Sequence, residues 1–248
     1  MKVSIIIPTI WERESDLREL LYYIRHQTVL PYEVIVVTDG NIMHFKDILM
    51  DYIDCSIKFK PILIRDSPLG MKRNVGIKKT TCDYILFLDD DVLPNRSWLF
   101  EMKKSLEDGA DLIGGPSKPL FPNGLKIPRW WDESLIGRYV AVGNGPDRIW
   151  GCNLGIKKRV ITDIGYFDES LGPQKGHPSI YGEDVEFVNL VRQKKLSVMF
   201  NPRAVVYHKL NAERLCVEYY KKRAVKEGYS IKELSKRHNK ILIVEYQN

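Results

Sequence analysis

The sequence predicts an α/β protein with a mostly parallel, doubly wound central sheet flanked by helices. Short apolar runs rich in β-branched residues stop abruptly at polar residues, which is typical of buried strands. Segments with apolar residues at helical spacing alternate with these runs, and the loops between them are short. This alternation favours repeated strand–helix–strand units, whose strands are parallel.

Four strands separated by helices are predicted in the first part of the chain. They cover residues 2–7, 33–38, 62–65 and 84–88. Leu17, Leu20 and Leu21 share one face of the helix that follows the first strand and ends near Gln27. Two more helices are predicted at about 43–52 and 70–79.

The second part of the chain is predicted to be less regular. Helices are expected at about 97–107, 157–164 and 182–195, and strands at 110–115, 151–156 and 204–208. Residues 116–148 contain five prolines, together with Trp130 and Trp131. Irregular stretches of this length are usually functional or disordered, and the tryptophans favour an ordered lid. The tail from Ala212 is predicted to be helical and basic.

Charge is unevenly distributed along the 248 residues, whose formal net charge is +6. Residues 209–248 hold ten Lys or Arg and five Glu. This excess predicts either a polyanionic partner (an anionic membrane surface, a phosphate-bearing substrate or nucleic acid) or a solvated basic helix face. The four cysteines lack Cys-x-x-Cys spacing, which argues against a zinc site and indicates reduced thiols in a cytoplasmic protein.

Three consecutive carboxylates, Asp89, Asp90 and Asp91, follow the strand predicted at 84–88. Open α/β sheets bind ligands at the carboxyl ends of their strands, so these side chains fall where a site is expected. Adjacent carboxylates repel one another and are costly to bury, and a divalent cation would compensate their charge. The alternative is a solvated acidic turn.

Two further acidic positions could act with the triple aspartate: Asp39 after the second strand, and Glu183 with Asp184 at a helix start. Each also has a structural explanation, because Asp-Gly is a common turn and a helix favours acidic residues in its first turn. Together they fit a metal-assisted transfer. In such a reaction a cation neutralises a leaving diphosphate and a separate carboxylate accepts the proton of the attacking hydroxyl.

Several common motifs do not occur in the sequence. It contains no Gly-x-Gly-x-x-Gly fingerprint, no Walker loop and no Gly-x-Ser-x-Gly elbow. The common dinucleotide-binding, ATPase and serine acyl-transfer functions are therefore not indicated.

The order of the remaining motifs resembles that of family-two glycosyltransferases with the GT-A fold. The motifs are Ser-Ile-Ile-Ile-Pro-Thr from Ser4, Glu-Val-Ile-Val-Val-Thr-Asp-Gly from Glu33, Gly-Met-Lys-Arg-Asn-Val-Gly-Ile from Gly70, the strand before the triple aspartate, Gly-Cys-Asn-Leu-Gly-Ile from Gly151 and Tyr-Gly-Glu-Asp from Tyr181. The resemblance implies a Rossmann-like central sheet, a smaller acceptor-side sheet and C-terminal helices. It also implies inverting transfer from a nucleotide-diphospho-sugar to an acceptor hydroxyl.

The resemblance further implies roles for individual residues. Asp184 would be the general base, with Glu183 beside it near the acceptor. Asp91 would be the main Mn²⁺ or Mg²⁺ ligand, with Asp89 and His208 as further ligands. By itself, a histidine ending an apolar strand is more often a core residue. The residues expected around the nucleotide are Pro8, Thr9, Glu12, Asp39, Arg73, Asp89 and Asp90.

The chain departs from the family pattern at two places. Ile10, Trp11 and Glu12 follow Pro8-Thr9 where the family often has Tyr-Asn, and only one aspartate, Asp39, follows the second strand. The identity of the nucleotide base is therefore left open.

We expect a nucleotide-sugar-binding half at 1–115, an acceptor half at 116–210 and a basic helical segment at 211–248. The expected partners are a nucleotide sugar and a glycan or lipid-linked acceptor, with peripheral association with an anionic membrane and no nucleic acid.

Two alternative functions are a haloacid-dehalogenase-type phosphatase and a non-catalytic sugar- or nucleotide-binding module. Such phosphatases carry Asp-x-Asp on their first strand, usually with Thr or Val at its fifth position, where this chain has Leu93. The presence of both the triple aspartate and the Glu183-Asp184 pair argues against a non-catalytic binding module.

Overall fold

Strands form the centre of the molecule in the computed structural model, which describes residues 2–40, 48, 56–172 and 181–238. Ten strands lie within these residues. They are β1 (Val3–Thr9), β2 (Glu33–Thr38), β3 (Lys58–Leu63), β4 (Tyr84–Phe87), β5 (Val92–Pro94), β6 (Leu112–Gly114), β7 (Ser117–Leu120), β8 (Leu154–Lys157), β9 (Val198–Phe200) and β10 (Val206–Lys209).

Seven α-helices occur in the same described ranges. They are α1 (Glu14–Arg25), α2 (Leu69–Lys79), α3 (Trp98–Glu107), α4 (Glu133–Ile136), α5 (Val160–Ile164), α6 (Glu183–Gln193) and α7 (Val217–His238). The helix predicted at 43–52 lies outside the described residues apart from Ile48, which is buried.

Seven strands form the central sheet, in the order β3-β2-β1-β4-β8-β6-β9. Strands β1 to β4 pair in parallel, β6 pairs in parallel with β9, and β8 is antiparallel to β4 and β6. A second sheet has the order β5-β10-β7. The prediction of a mostly parallel central sheet with a smaller second sheet is confirmed.

The inner strands are buried on both faces, which explains their continuous apolar sequences. In β1, Ile5 packs in a cluster with Leu20 of α1. Its neighbour Ile6 packs in a second cluster with Ile77 of α2. This alternation follows from the two-residue period of a strand. Because side chains along the strands fill the core, polar groups available to a ligand lie at the strand ends.

Short and peripheral strands differ most from the prediction. The edge strand β3 begins at Lys58 rather than residue 62, because its half-buried sequence, which includes Pro61, gives no apolar run. Strands β5, β7 and β9 contain three or four residues, too few to show an alternating pattern. Residues 151–153, predicted as strand, form a 3-10 turn.

The predicted irregular stretch at 116–148 packs against helix α7. Val140, Val142, Leu210 and Tyr220 form a small core with Trp131 and other partly buried aromatic residues. Arg223 of α7 donates from Nε to the Tyr139 carbonyl at 3.2 Å. The stretch is thus an ordered structure fixed by the tail. In the part of the chain that the structure describes, no helix combines the length and apolar character needed to cross a membrane.

Candidate active site

The predicted acidic residues gather at one edge of the central sheet. Because β1, β2 and β4 are parallel, their carboxyl ends face the same way. Thr9 ends β1, Asp39 follows β2, and the triple aspartate follows β4 within two residues. This edge is the one at which open α/β sheets bind ligands.

Arg13 connects two of the three aspartates. Its Nη1 donates to Asp90 Oδ1 at 2.8 Å and to Asp91 Oδ2 at 2.7 Å. Thr9 Oγ1 donates to the other oxygen of Asp90 at 2.6 Å. Arg13 lies in the 3-10 turn Trp11–Arg13 that follows β1, so the end of this strand supplies both partners of Asp90.

Strand β10 brings His208 to Asp91. It pairs antiparallel with β5, placing His208 opposite Val92, and the Lys209 amide donates to the Asp91 carbonyl at 2.9 Å. His208 Nε2 lies 3.2 Å from Asp91 Oδ1, and Arg214 Nη2 lies 3.5 Å from Asp91 Oδ2. Arg214 belongs to the 3-10 turn Ala212–Leu215, so the C-terminal segment reaches the triple aspartate.

The two buried aspartates have opposite pKa shifts. Burial raises the pKa of Asp90 to about 6 despite the opposing charge of Arg13, and the charge of Asp91 adds to the rise. Burial also disfavours the charged form of Asp91, but His208, Arg13 and Arg214 outweigh it and lower the pKa of Asp91. Asp91 is therefore the firmly ionised carboxylate of the pair.

Two buried basic residues from α2 connect the remaining carboxylates. Lys72 Nζ donates to the Thr9 carbonyl at 2.8 Å and to Asp39 at 3.0 Å. Arg73 Nη2 donates to Asp89 at 2.9 Å, and its Nη1 donates to Glu183 at 2.8 Å. Buried charges need such partners to offset the loss of hydration.

The Glu183–Asp184 pair opens helix α6 on the other side of Arg73. Asp184 is half-buried, and its Oδ2 accepts a hydrogen bond from the Gly151 amide at 2.7 Å. Glu183 is buried, and burial together with the charge of Asp184 raises its pKa, while Arg73 opposes the rise. Asp184 is thus the member of the pair that is accessible to a substrate.

The structure brings together most of the predicted site residues, and four that the sequence did not indicate. Pro8 is buried within β1, and Glu12 is exposed in the turn before Arg13. The unpredicted members are Arg13, Lys72, Gly151 and Arg214. Lys72 and Gly151 lay inside quoted motifs, whereas no motif marked Arg13 or Arg214. In the described residues this cluster contains six carboxylates, four Lys or Arg side chains and His208: Asp39, Asp89, Asp90, Asp91, Glu183 and Asp184 with Arg13, Lys72, Arg73 and Arg214.

Comparison with known proteins identifies the family. The profile of Glycosyl transferase family 2 matches residues 4–162, well over half of the chain. The chain belongs to this family. The predicted family and enzyme class, a family-two glycosyltransferase, are thereby confirmed, and the phosphatase alternative finds no support.

Similar proteins include two from Haloferax volcanii. A glucosyl-dolichyl phosphate glucuronosyltransferase is 24% identical over 242 residues, which are 93% of this chain and 76% of that protein. Glycosyltransferase AglE is 29% identical over 211 residues, which are 80% of this chain and 64% of AglE. This chain therefore spans about two thirds to three quarters of the length of these relatives.

Solved structures show the same fold. S. aureus TarS 1-349 in complex with UDP-GlcNAc matches with a TM-score of 0.62 at 20% identity, over 100% of this chain and 74% of that chain. Another TarS structure matches with a TM-score of 0.61, and this chain covers 45% of it. The GT-A prediction is confirmed by this similarity.

The predicted divalent cation can be tested against the donor atoms present. Among the described residues, no three His, Cys, Asp or Glu side chains form a ready metal-binding group. Asp91 Oδ1 and His208 Nε2 nevertheless lie 3.2 Å apart. Adjacent ligands of an octahedral ion with bonds of about 2.1 Å would be separated by about 3.0 Å, and Mg²⁺ often takes few protein ligands and completes its shell with phosphates. The same distance suits a hydrogen bond between these two side chains, so ligation of a cation by Asp91 and His208, with phosphates completing its shell, stays a prediction. A ligand role for Asp89, which pairs with Arg73, stays a prediction.

Proposed function

We propose that this family-two protein transfers a sugar, with inversion, from a nucleotide-diphospho-sugar to a hydroxyl of a glycan or lipid-linked acceptor. One observation carries the proposal. Asp184 presents a half-buried carboxylate on one side of the buried Arg73, and the triple aspartate lies on the other. Direct displacement at an anomeric carbon needs such a separation, because the base and the leaving group lie on opposite sides of that carbon.

Asp184 would act as the general base. Its Oδ2 accepts from the Gly151 amide and its Oδ1 from the Val185 amide at 2.9 Å, and each carboxylate oxygen can accept a further hydrogen bond. The acceptor hydroxyl would give its proton to Asp184 while its oxygen bonds to the anomeric carbon. The bond from that carbon to the diphosphate breaks, and the electron pair leaves with the diphosphate.

The basic residues around Asp91 would offset the charge of the leaving group. The side chains of Arg13 and Arg214 are 34% and 20% exposed, so both retain donors that can face a ligand. When bound at Asp91 and His208, Mn²⁺ or Mg²⁺ would supply further positive charge beside the diphosphate. Asp89 and Asp90 are predicted to lie beside the ribose and the cation.

The donor would lie over the ends of β1, β2 and β4. Asp39, held by Lys72, is the residue proposed to contact the base, and Pro8, Thr9 and Glu12 are the neighbouring predicted positions. The UDP-GlcNAc complex of the structurally similar TarS supports a nucleotide-sugar donor. Residues 1–115 would thus hold the donor and 116–210 the acceptor. Thermal-shift screening of UDP-, GDP- and dTDP-sugars with Mn²⁺ would identify the nucleotide, because a ligand at 100 times its Kd adds about 2.7 kcal/mol of stability.

A lipid-linked acceptor is supported by the tail as well as by a relative's name. One of the two Haloferax relatives is named a glucosyl-dolichyl phosphate glucuronosyltransferase. On α7, Val217, Val225 and Tyr229 are exposed on the side that also carries Lys221 and Lys232. Apolar and basic residues on one helix face are typical of contact with an anionic membrane surface.

Vesicle flotation tests the membrane contact. We expect salt-sensitive binding to vesicles containing phosphatidylglycerol, and its loss in a Lys221→Glu/Lys232→Glu variant. A matched Lys78→Glu/Lys79→Glu variant, altered at the exposed end of α2, should bind normally. Equal binding by both variants would rule out α7 as the contact.

The Asp184→Asn variant tests the proposed base. The change keeps the shape of the side chain but removes its basicity, so kcat should fall by about 10²- to 10⁴-fold while donor binding persists. Asp147→Asn is the matched control, because the Asp147 side chain is 94% exposed. Full transfer by Asp184→Asn at saturating donor and Mn²⁺ would disprove the assignment.

A further inference from the structure

Arg73 lies between the proposed donor-side carboxylate Asp89 and the acceptor-side carboxylate Glu183, and it donates a hydrogen bond to each. We infer that Arg73 and Gly151 are positioning residues, which act together to hold Asp184 where the proposed transfer needs its base. The inference rests on the proposed function and extends it, because Arg73, expected beside the nucleotide, is given a second role toward the base, and Gly151 is given its first role.

The guanidinium of Arg73 has no free face toward solvent. Its side chain is 1% exposed, both Nη atoms are paired with carboxylates, and its Cζ lies 5.7 Å from the centre of the Phe167 ring. A guanidinium donates from a rigid planar fork, so it fixes the distance between the two acids it holds. Asp89 and Glu183 are therefore set relative to each other, and Glu183 directly precedes the proposed base.

Gly151 provides a second connection from Arg73 to Asp184. A Cβ atom at position 151 would lie 2.6 Å from Arg73 Nη2 and 2.8 Å from Arg73 Cζ. The guanidinium thus occupies the space that any side chain at 151 would need. Since Gly151 has no positive φ, this close approach is what requires glycine. The Arg73 guanidinium therefore packs on the same residue whose amide donates to Asp184.

Both connections end at one carboxylate. The first runs from Arg73 through Glu183 along the start of α6, and the second runs through the Gly151 amide. Displacing the guanidinium would disturb both together. Misplacement of a reacting group by about 1 Å can cost about 10²-fold in rate, so the effect on kcat should be large although neither residue contacts the acceptor.

A double-mutant cycle tests the inference. The variants are Gly151→Ala, Arg73→Lys and the double change, assayed with the nucleotide sugar found in the thermal-shift screen. Gly151→Ala should lower kcat by about 10- to 100-fold, with a smaller rise in donor KM because Arg73 also holds Asp89. Lysine lacks the planar group that the new methyl would strike, so the double variant should be no slower than Arg73→Lys alone. Such non-additivity is the signature of direct contact.

Gly228→Ala is the matched control, because a Cβ there meets nothing within 4 Å. It should leave kcat unchanged. The same cycle in thermal unfolding, without donor, should also be non-additive. Losses that multiply in the double variant, or a Gly151→Ala loss confined to donor KM, would overturn the inference. Absence of transfer by the wild-type chain would instead refute the proposed function, and the unfolding cycle would still report whether the contact exists.

Discussion

The proposed donor side and the proposed acceptor side of the site are held by different kinds of contact. Asp89, Asp90 and Asp91 begin two residues after β4 ends. Two of their partners, Thr9 and Arg13, belong to or follow the adjacent strand β1. Asp184, by contrast, is placed by a backbone amide 33 residues earlier in the chain. Regular strands therefore locate the donor-side carboxylates, whereas a contact between the start of helix α6 and the distant 3-10 turn at Gly151 locates the proposed base.

Asn153 shows how the irregular segments are connected to the regular ones. Its Oδ1 accepts from Trp98 Nε1 of α3 at 2.7 Å, and its Nδ2 donates to the carbonyls of Pro116 at 3.1 Å and Ala204 at 2.9 Å. One fully buried amide thus connects a donor-side helix to residues near both ends of the proposed acceptor half, 116–210.

The largest expected contrast is between Asp91→Asn and Asp184→Asn. Asp91 faces His208, Arg13 and Arg214, so losing its charge should abolish donor binding as well as transfer. We expect a fall in kcat/KM of about 10²-fold or more, as for loss of one charge-stabilising group. Calorimetry with the nucleotide sugar and Mn²⁺ should detect no binding to Asp91→Asn and near-normal binding to Asp184→Asn. Equal donor affinity in the two variants would contradict the division of roles.

The next largest effect is on stability, from Asn153→Ala. The substitution leaves one buried N–H and two buried carbonyls without their partner, and each such group costs about 1–3 kcal/mol. We expect a loss of about 3 kcal/mol or more and a fall in Tm of about 6–12 °C. Thermal unfolding should show this, while Asn123→Ala, at an exposed turn position, should unfold like the wild type. A change below 1 °C for Asn153→Ala would show that the two sides are not connected through this amide.

Glu33, a carboxylate outside the site, and Asp90, a carboxylate within it, should change the stability of the fold in opposite directions as the pH falls. Burial disfavours ionised Glu33, but hydrogen bonds from Lys60, Thr80 and the Thr81 amide outweigh burial and lower its pKa from 4.5 to about 2. Its stabilisation, at most about 3 kcal/mol, is therefore complete above pH 4.5 and is lost as the pH falls toward 2. Glu33→Gln should remove this dependence from the acid-unfolding profile.

Ionised Asp90 has the opposite effect and lowers the free energy of unfolding. Its pKa is raised from 3.8 to about 6, so the ionised form destabilises the fold above pH 6 and the penalty disappears as the pH falls toward 3.8. Asp90→Asn should accordingly raise stability at pH 8 by about 1–3 kcal/mol. Transfer should fall in the same variant. A lower Tm for Asp90→Asn at pH 8 would mean that its bonds to Thr9 and Arg13 outweigh the cost of burial.

The donor side could be predicted from the sequence because its signals are local. The apolar run of β2 has the predicted bounds, Glu33–Thr38, and the parallel sheet places Asp39 and the triple aspartate at one edge. The positions of Arg13 and Arg214 could not be predicted in the same way. Arg214 reaches Asp91 because β10 pairs with β5, and strands of three or four residues give no periodic signal. The roles assigned to the site residues stay predictions.

The smallest expected effect concerns the aromatic cluster on the acceptor side. The Tyr220 ring has its centre 5.3 to 6.2 Å from those of Trp130, Trp131, Tyr139 and Tyr219. Its hydroxyl is buried without a hydrogen-bond partner among the described residues. Tyr220→Phe should therefore change the free energy of unfolding by less than about 0.5 kcal/mol, or stabilise the protein, because no hydrogen bond is lost.

Trp98→Phe is the matched donor-side variant. It removes a buried N–H that does have a partner, Asn153 Oδ1, and should cost about 1–3 kcal/mol. Denaturant unfolding should therefore show a much smaller loss of stability for Tyr220→Phe than for Trp98→Phe. That difference would indicate that ring packing holds the aromatic cluster, whereas hydrogen bonds to Asn153 hold the region around Trp98. A loss above 1 kcal/mol in Tyr220→Phe would mean that its hydroxyl is bonded in solution. The contact between α7 and the 116–148 stretch would then depend on a polar group, as the donor side does.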